Sequence, residues 1–396
     1  MCQKHLVWLI LAVCGLVYVI AQIELWDSKL HGDEPHVLMT SISIIKDWDL
    51  NIYPSYLARY FVALGYSDLA PQVSPVNGFI PPEKGIGFPA FVAPLYAAFG
   101  LQGTRIALLA INALAFPLLF LNCVWTGLSR IRAALACLAL ATVMPWVIHA
   151  GMVIPEAFAG TIVIGIVGAY LRFKQTDHWA YAFGVGLLTV LLPIIYLKYA
   201  ALAAASAVLL LANRRLRIHP ATYAAAPLAA AYALLWITVY GYSIAIGTGG
   251  GPGDFNPTGI VQHFWYAFID RQNGEWVWAP VTVLAVAGLL WWHRPCLDVQ
   301  AYLVAAVVLY ATLYGLTTLA PGDSAPGRYL VAAVPAMVML AALGMLRDGA
   351  IGRTRVAVFG GLMLLSAIIL YTSIAAGRYE LPSAYAIAFP QLYKTP

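Results

Sequence analysis

His5–Leu25 reads HLVWLILAVCGLVYVIAQIEL, and His31–His36, just beyond it, reads HGDEPH. Glu24 is the single charged residue of the first stretch. At about 1.5 Å of rise per residue, a helical run of this length covers the ~30 Å hydrocarbon layer of a bilayer. Lys4 and His5 ahead of it give it the look of a signal sequence. It has no small-x-small cleavage site and further apolar runs follow, so it is expected to stay as a first membrane helix.

Outward from this stretch the same pattern recurs. Of 396 residues, 62% are apolar and 10% charged. Soluble domains carry about 25% charged residues, because a wet surface needs them. Spans are expected over about eleven stretches: 5–25, 103–127, 131–149, 152–172, 178–196, 198–212, 221–246, 276–293, 300–320, 327–346 and 354–376. The chain therefore reads as one all-α polytopic membrane domain, residues 1–396. The formal charge of +5 comes without a basic cluster interleaved with aromatics, so nucleic acid is not an expected partner. The five cysteines show no CxxC or Cys/His spacing, and no disulfide framework is expected.

Charge orients the chain. With the N-terminus in the cytoplasm, Lys4, Arg130, Arg132, Arg172, Lys174, Arg214, Arg215, Arg217, Arg294, Arg347, Arg353 and Arg355 fall inside, against Asp177, Asp298 and Asp348. The remaining 14 of 17 acids fall outside or at outer helix ends, and the Lys/Arg excess inside follows the positive-inside rule. A bacterial inner membrane, an inside N-terminus and an outside C-terminus are expected. Two outer (periplasmic) connections are long, Trp26–Gln102 (26–102) and Gly247–Glu275 (247–275). In the first, Pro35–Lys46 and Tyr53–Leu64 read as short amphipathic helices at the interface, and Phe88–Phe99 as a re-entrant or interfacial piece. The Gly-rich Gly247–Gly253 stretch reads as a flexible loop suited to a lid.

Unexplained polar residues gather on this outer face. Asp33 and Glu34 precede Pro35, which fits the first turn of a helix, so Asp33 either caps that helix or offers a general base. Glu156 follows Pro155 near the outer end of a span, where an ionisable group either pairs with a cation or touches a ligand. Lys198 and Tyr199 lie at the hinge of two short spans, where a lysine suits an anionic headgroup or a lipid-linked phosphate. Arg328, with Tyr329, opens the tenth span at a depth that suits a phosphate or an interfacial anchor. Asp270, Arg271 and Glu275 precede the eighth span, and Glu83–Lys84 adds a charged pair to the first loop. His31 and His36 flank the acids, so a divalent ion is conceivable but not favoured. No Walker, Rossmann or GxSxG pattern occurs.

These residues resemble the GT-C superfamily of polytopic glycosyltransferases, which use polyprenyl-phosphate-linked sugars. Asp33-Glu34-Pro35-His36 is similar to the acidic first-loop motif of protein O-mannosyltransferases. Lys84-Gly85-Ile86-Gly87-Phe88-Pro89 is similar to the end of that loop in bacterial members, aminoarabinose transferases among them. Ile154-Pro155-Glu156, Leu192–Tyr199, Asp270–Gly274 with Ala279-Pro280, and Pro326–Leu330 extend the likeness over about Gly32 to Pro335. The resemblance implies an inverting transfer of sugar from a polyprenyl phosphate to an acceptor hydroxyl on the periplasmic side. Asp33 would be the base and Glu34 its assistant. Glu156 would lie near acceptor or sugar, and Lys84, Lys198 and Arg328 would hold the donor phosphate. His36, Tyr199, Asp270, Arg271 and Tyr329 complete the expected binding residues. No cofactor is required beyond a conceivable divalent metal.

The expected partners are the polyprenyl-phosphate sugar, a glycan, lipid or protein acceptor, and membrane lipid. The chain ends about 20 residues after its last apolar run, without the large outer domain of some GT-C proteins. The two long outer loops are therefore expected to recognise the acceptor, with an apolar groove beside them for the donor tail. Two other classes compete: a transporter or flippase of lipid-linked saccharide, and a ligase or polymerase using polyprenyl-diphosphate glycans. A transporter would show mid-membrane charges and repeated halves. Here the charges crowd the outer face and no repeat is visible.

Overall fold

Among the described residues, helix overlaps each of the eleven stretches, but only six or seven helices are long and apolar enough to cross a membrane. The computed structural model describes residues 3–24, 30, 32–82, 84–245, 260–270, 274–291, 294–315, 328–346 and 352–375. Among them the chain is helical, apart from loops and one isolated antiparallel bridge between Val76 and Phe79. Six helices are long and apolar enough to cross a membrane: His5–Ile23, Gly87–Trp125, Glu156–Thr176, Pro220–Gly241, Leu297–Tyr314 and Gly352–Ser373. A bent pair, Arg130–Thr142 with Met144–Ala150, makes a seventh if taken as one span. The other four stretches hold the shorter helices Trp179–Ile195, Leu197–Ala212, Pro280–Leu290 and Tyr329–Met345. The protein is a multi-pass membrane protein.

In chain order, α1 (Gln3–Glu24) leads into a long connection holding α2 (Glu34–Lys46) and α3 (Tyr53–Leu57). α4 (Gly87–Ala113) and α5 (Ala115–Trp125) descend, and α6 (Arg130–Thr142) and α7 (Met144–Ala150) return. α8 (Glu156–Thr176), α9 (Trp179–Ile195), α10 (Ala200–Ala212), α11 (Arg214–Ile218) and α12 (Ala226–Ala245) follow. The last part contains α13 (Ile260–Ile269), α14 (Glu275–Trp278), α15 (Ala285–Leu290), α16 (Leu297–Gly315), α17 (Val334–Met345) and α18 (Gly352–Ala375).

Proline chemistry explains the short and bent elements. α6 stops at Val143, whose backbone is extended, and α7 restarts with Pro145 in its first turn, so the axes turn by 72°. Pro lacks the N–H that would continue the ladder and biases the residue before it away from helix. Pro193 lies in the last turn of α9, Tyr196 is extended, and Leu197–Tyr199 forms a 3-10 turn before α10. The expected re-entrant piece is the upper half of α4, which breaks at Gly100 where φ is +64°.

Packing sorts the helices into centre and rim. α17 is apolar on every side and buried from Val334 to Met345, as a helix inside a bundle must be. α8 is the other central helix, with 78% of its spanning window buried, whereas Pro220–Gly241 has 11%. α12 therefore rides on the rim, and Tyr240 near its end donates to the Pro82 carbonyl at 2.7 Å. On the arginine-rich side, Asp298 of α16 accepts from Lys174 at 2.7 Å and from the Tyr170 hydroxyl, clamping α16 to α8. The loop helix α2 is more enclosed than a surface helix: Glu34 through Ser43 are all buried. Its first residues are thereby held in the body of the protein.

Candidate functional site

Asp33 occupies the N-cap position of α2 but makes no side-chain capping bond. Its carboxylate turns outward instead, and Asp33 Oδ1 lies 2.9 Å from Lys84 Nζ, with side chains 15% and 16% exposed. The capping alternative raised from the sequence is thus not the one adopted. Ahead of the motif, the Tyr66 hydroxyl donates to the Leu30 carbonyl. Burial first, and then the Glu34 charge, push the Tyr66 phenol up from its ordinary range, so it keeps the proton that this bond uses.

Lys84 reaches Asp33 because the turn after it is built of glycine. Gly85 has φ of +80°, and a Cβ there would lie 3.1 Å from the Tyr196 ring. A Cβ on Gly87 would come within 1.9 Å of the Ile194 carbonyl oxygen. Only glycine permits that backbone approach. The end of the connection between α1 and α4 is thus pressed against the end of α9, where Lys198 follows.

Glu34, one residue from Asp33, points the other way. It is fully buried, and its Oε1 accepts from the Val153 N–H at 2.8 Å and lies 3.4 Å from Arg105 Nη2. Val153 belongs to the turn between α7 and α8, three residues before Glu156. Glu156, buried at the start of α8, pairs with Lys198 at 2.7 Å. The Lys198 ammonium also faces the rings of Tyr196, Tyr199 and Tyr314, at 4.8, 5.3 and 5.9 Å from their centroids. Tyr314 in turn packs on Tyr329, ring centroids 5.2 Å apart.

Tyr196 joins the two acid–lysine pairs: it interacts electrostatically with Asp33, Lys198 and Glu156 together. Asp33, Glu34, Lys84, Glu156, Lys198, Tyr199 and Tyr329 therefore share one neighbourhood. His36 is buried behind it, its Nδ1 2.7 Å from the Tyr56 hydroxyl, which ties α2 to α3. Asp270 ends α13 and its carbonyl accepts from the Gly274 N–H at 2.7 Å. His31, Glu83, Arg271, the Gly247–Gly253 stretch and the side chain of Arg328 lie outside the described residues. Among the described residues no three His, Cys, Asp or Glu side chains form a metal-sized group.

Three participants were not singled out from the sequence. Arg105 hides in an apolar run, where its charge alone was the signal. Tyr196 and Tyr314 are ordinary members of spans until the fold brings them to Lys198. Glu275 was noted only as part of a polar loop. It is fully buried at the start of α14, neither carboxyl oxygen has a hydrogen-bond partner, and burial holds its carboxyl well above the usual carboxylate range.

Chemically, a half-open carboxylate beside two lysines and a tyrosine wall offers a proton acceptor next to a site for an anion. No protein-family model matches the chain, and no curated protein matches it either. Solved structures do. ArnT from Cupriavidus metallidurans, an aminoarabinose transferase, is similar at a TM-score of 0.59 both in its apo state (15% identity) and bound to undecaprenyl phosphate (16%). Each match covers 93% of this chain and 64% of ArnT, so the chain spans less than two thirds of that protein's length. An oligosaccharyltransferase from Archaeoglobus fulgidus, tethered to an acceptor peptide containing the NVT sequon, matches at a TM-score of 0.50 and 15% identity. That alignment covers 96% of this chain and 56% of the archaeal one. At such identities the likeness is one of fold, and the fold is GT-C-like.

Proposed function

We propose that this GT-C-like membrane protein is an inverting glycosyltransferase, which moves a sugar from a polyprenyl phosphate to an acceptor hydroxyl outside the cytoplasm. The observation that carries the reading is the Asp33–Lys84 pair, partly open and set beside the buried Glu156–Lys198 pair. Asp33 removes the proton of the acceptor hydroxyl as its oxygen attacks the anomeric carbon. The bond from that carbon to the phosphate oxygen breaks, and polyprenyl phosphate leaves with the electron pair. Attack opposite the leaving group inverts the anomeric configuration.

Lys84 has two tasks in this scheme. At rest it neutralises Asp33; with donor bound it turns toward the phosphate, leaving the carboxylate free to take a proton. Lys198 and Arg328 meet the charge that grows on the leaving phosphate, where fixed cations lower a barrier most. Glu34 orients the loop from beneath, and Glu156 holds Lys198 in place. The inner membrane of a bacterium, with the N-terminus inside, is the setting that the charge asymmetry of the loops favours. That ArnT was captured with undecaprenyl phosphate supports a lipid-phosphate donor.

Transfer from a panel of synthetic polyprenyl-phosphate sugars by the purified protein tests this. Product formation by the parent, and none by Asp33→Asn, is expected. Donors that bind but are never consumed by the parent would instead favour a transporter.

A further inference from the structure

Arg105 is buried and lies in no part of the sequence signature. It lies on α4 on one face with Leu108 and Asn112, both also buried. That face holds the α7–α8 turn at two places. Asn112 donates to the Ala150 carbonyl at 2.8 Å. Arg105 acts through Glu34, whose Oε1 receives the Val153 N–H at 2.8 Å and faces the guanidinium at 3.4 Å. Asp33 and Glu156 flank this knot, the one a neighbour of Glu34 and the other three residues from Val153.

From this geometry we infer that Arg105 is a positioning residue for the proposed transfer, and the inference rests on that reading. The guanidinium and the Val153 N–H meet on the same Glu34 oxygen, so Arg105 fixes the carboxylate that clamps Val153. The clamp sets the spacing between Asp33, which handles the acceptor proton, and the Glu156–Lys198 pair, which faces the donor. Remove the guanidinium and both pairs persist, but no longer at a fixed separation.

The test compares Arg105→Lys, Arg105→Gln and the double variant Glu34→Gln/Arg105→Gln, which leaves no lone buried charge if the single change fails to fold. Two readouts are needed. Amide hydrogen exchange over residues 151–155 should accelerate in Arg105→Gln and in the double variant but stay near the parent in Arg105→Lys. With polyprenyl-phosphate sugar, kcat should fall on the order of 10- to 100-fold in the same two variants, the scale of a small misplacement of reacting groups. Donor KM should hardly move, and Arg105→Lys should recover most of the rate. Unchanged exchange in the folded glutamine variants would overturn the inference, as would a loss confined to KM. A parent without transferase activity would overturn the reading of function instead, while exchange would still decide whether Arg105 governs the turn.

Discussion

Asp33 and Lys84 approach from opposite ends of the long connection between α1 and α4 and meet at 2.9 Å. The pairing holds a lysine within reach of whatever displaces it from the carboxylate. If Asp33 is the base, Asp33→Asn should lower turnover by roughly 10²- to 10⁴-fold, the usual contribution of general-base catalysis. Binding of polyprenyl phosphate, followed by titration calorimetry in detergent, should persist because Lys84 is then freed. Full activity in the variant would remove Asp33 from the mechanism.

Lys84→Met should show the complementary pattern. A hydrogen bond to a charged group contributes about 1.5–3 kcal/mol. Affinity for polyprenyl phosphate should therefore weaken by roughly 10- to 100-fold, with folding intact by size-exclusion and melting. Equal affinity in parent and variant would place the phosphate elsewhere.

Gly87→Ala tests the join between the first loop and α9. Its new methyl would meet the Ile194 carbonyl oxygen at 1.9 Å, so backbone must move on one side. The expected result is a lower melting temperature and lost transfer. Gly15→Ala, where a Cβ meets nothing within 4 Å, should leave both unchanged.

Glu275 makes stability depend on pH. Burial keeps it protonated well above the ordinary carboxylate range in the folded chain, whereas in the unfolded chain it ionises near about 4.3. Above that pH the unfolded state holds fewer protons, so the stabilising contribution present in acid is lost as pH rises, by about 1.4 kcal/mol per unit until the folded group titrates. Glu275→Gln cannot ionise and should melt above the parent at pH 8, the difference closing by pH 4. A constant difference across that range would mean that Glu275 is ionised in the folded protein.

Much of this was legible in the chain because periodicity and charge act locally. An apolar run needs no partner to declare a membrane helix, and Asp33, Lys84, Glu156 and Lys198 stand out as charges in or beside apolar runs. What stayed hidden depends on distant contact. That α9 and α10 are short follows from Pro193 and the extended Tyr196, and their neighbours supply the burial that their length does not. The sequence likewise offered Asp33 as cap or base; that it makes no capping bond goes with its pairing to Lys84, which only the glycine turn brings near. Tyr314 carries no local mark at all, and Arg105 only its charge within an apolar run.

The Tyr240–Pro82 hydrogen bond links the bilayer itself to the site. α12 presents most of its surface to acyl chains, and a helix answers a thicker or thinner membrane by changing its tilt. Its grip on Pro82 lies two residues before Lys84, so a change of tilt pulls on the segment that delivers the lysine. Transfer measured in vesicles of short, medium and long acyl chains should therefore peak at one thickness, and Tyr240→Phe should flatten that dependence. Lipid, in this arrangement, is a mechanical setting of the protein as well as its solvent.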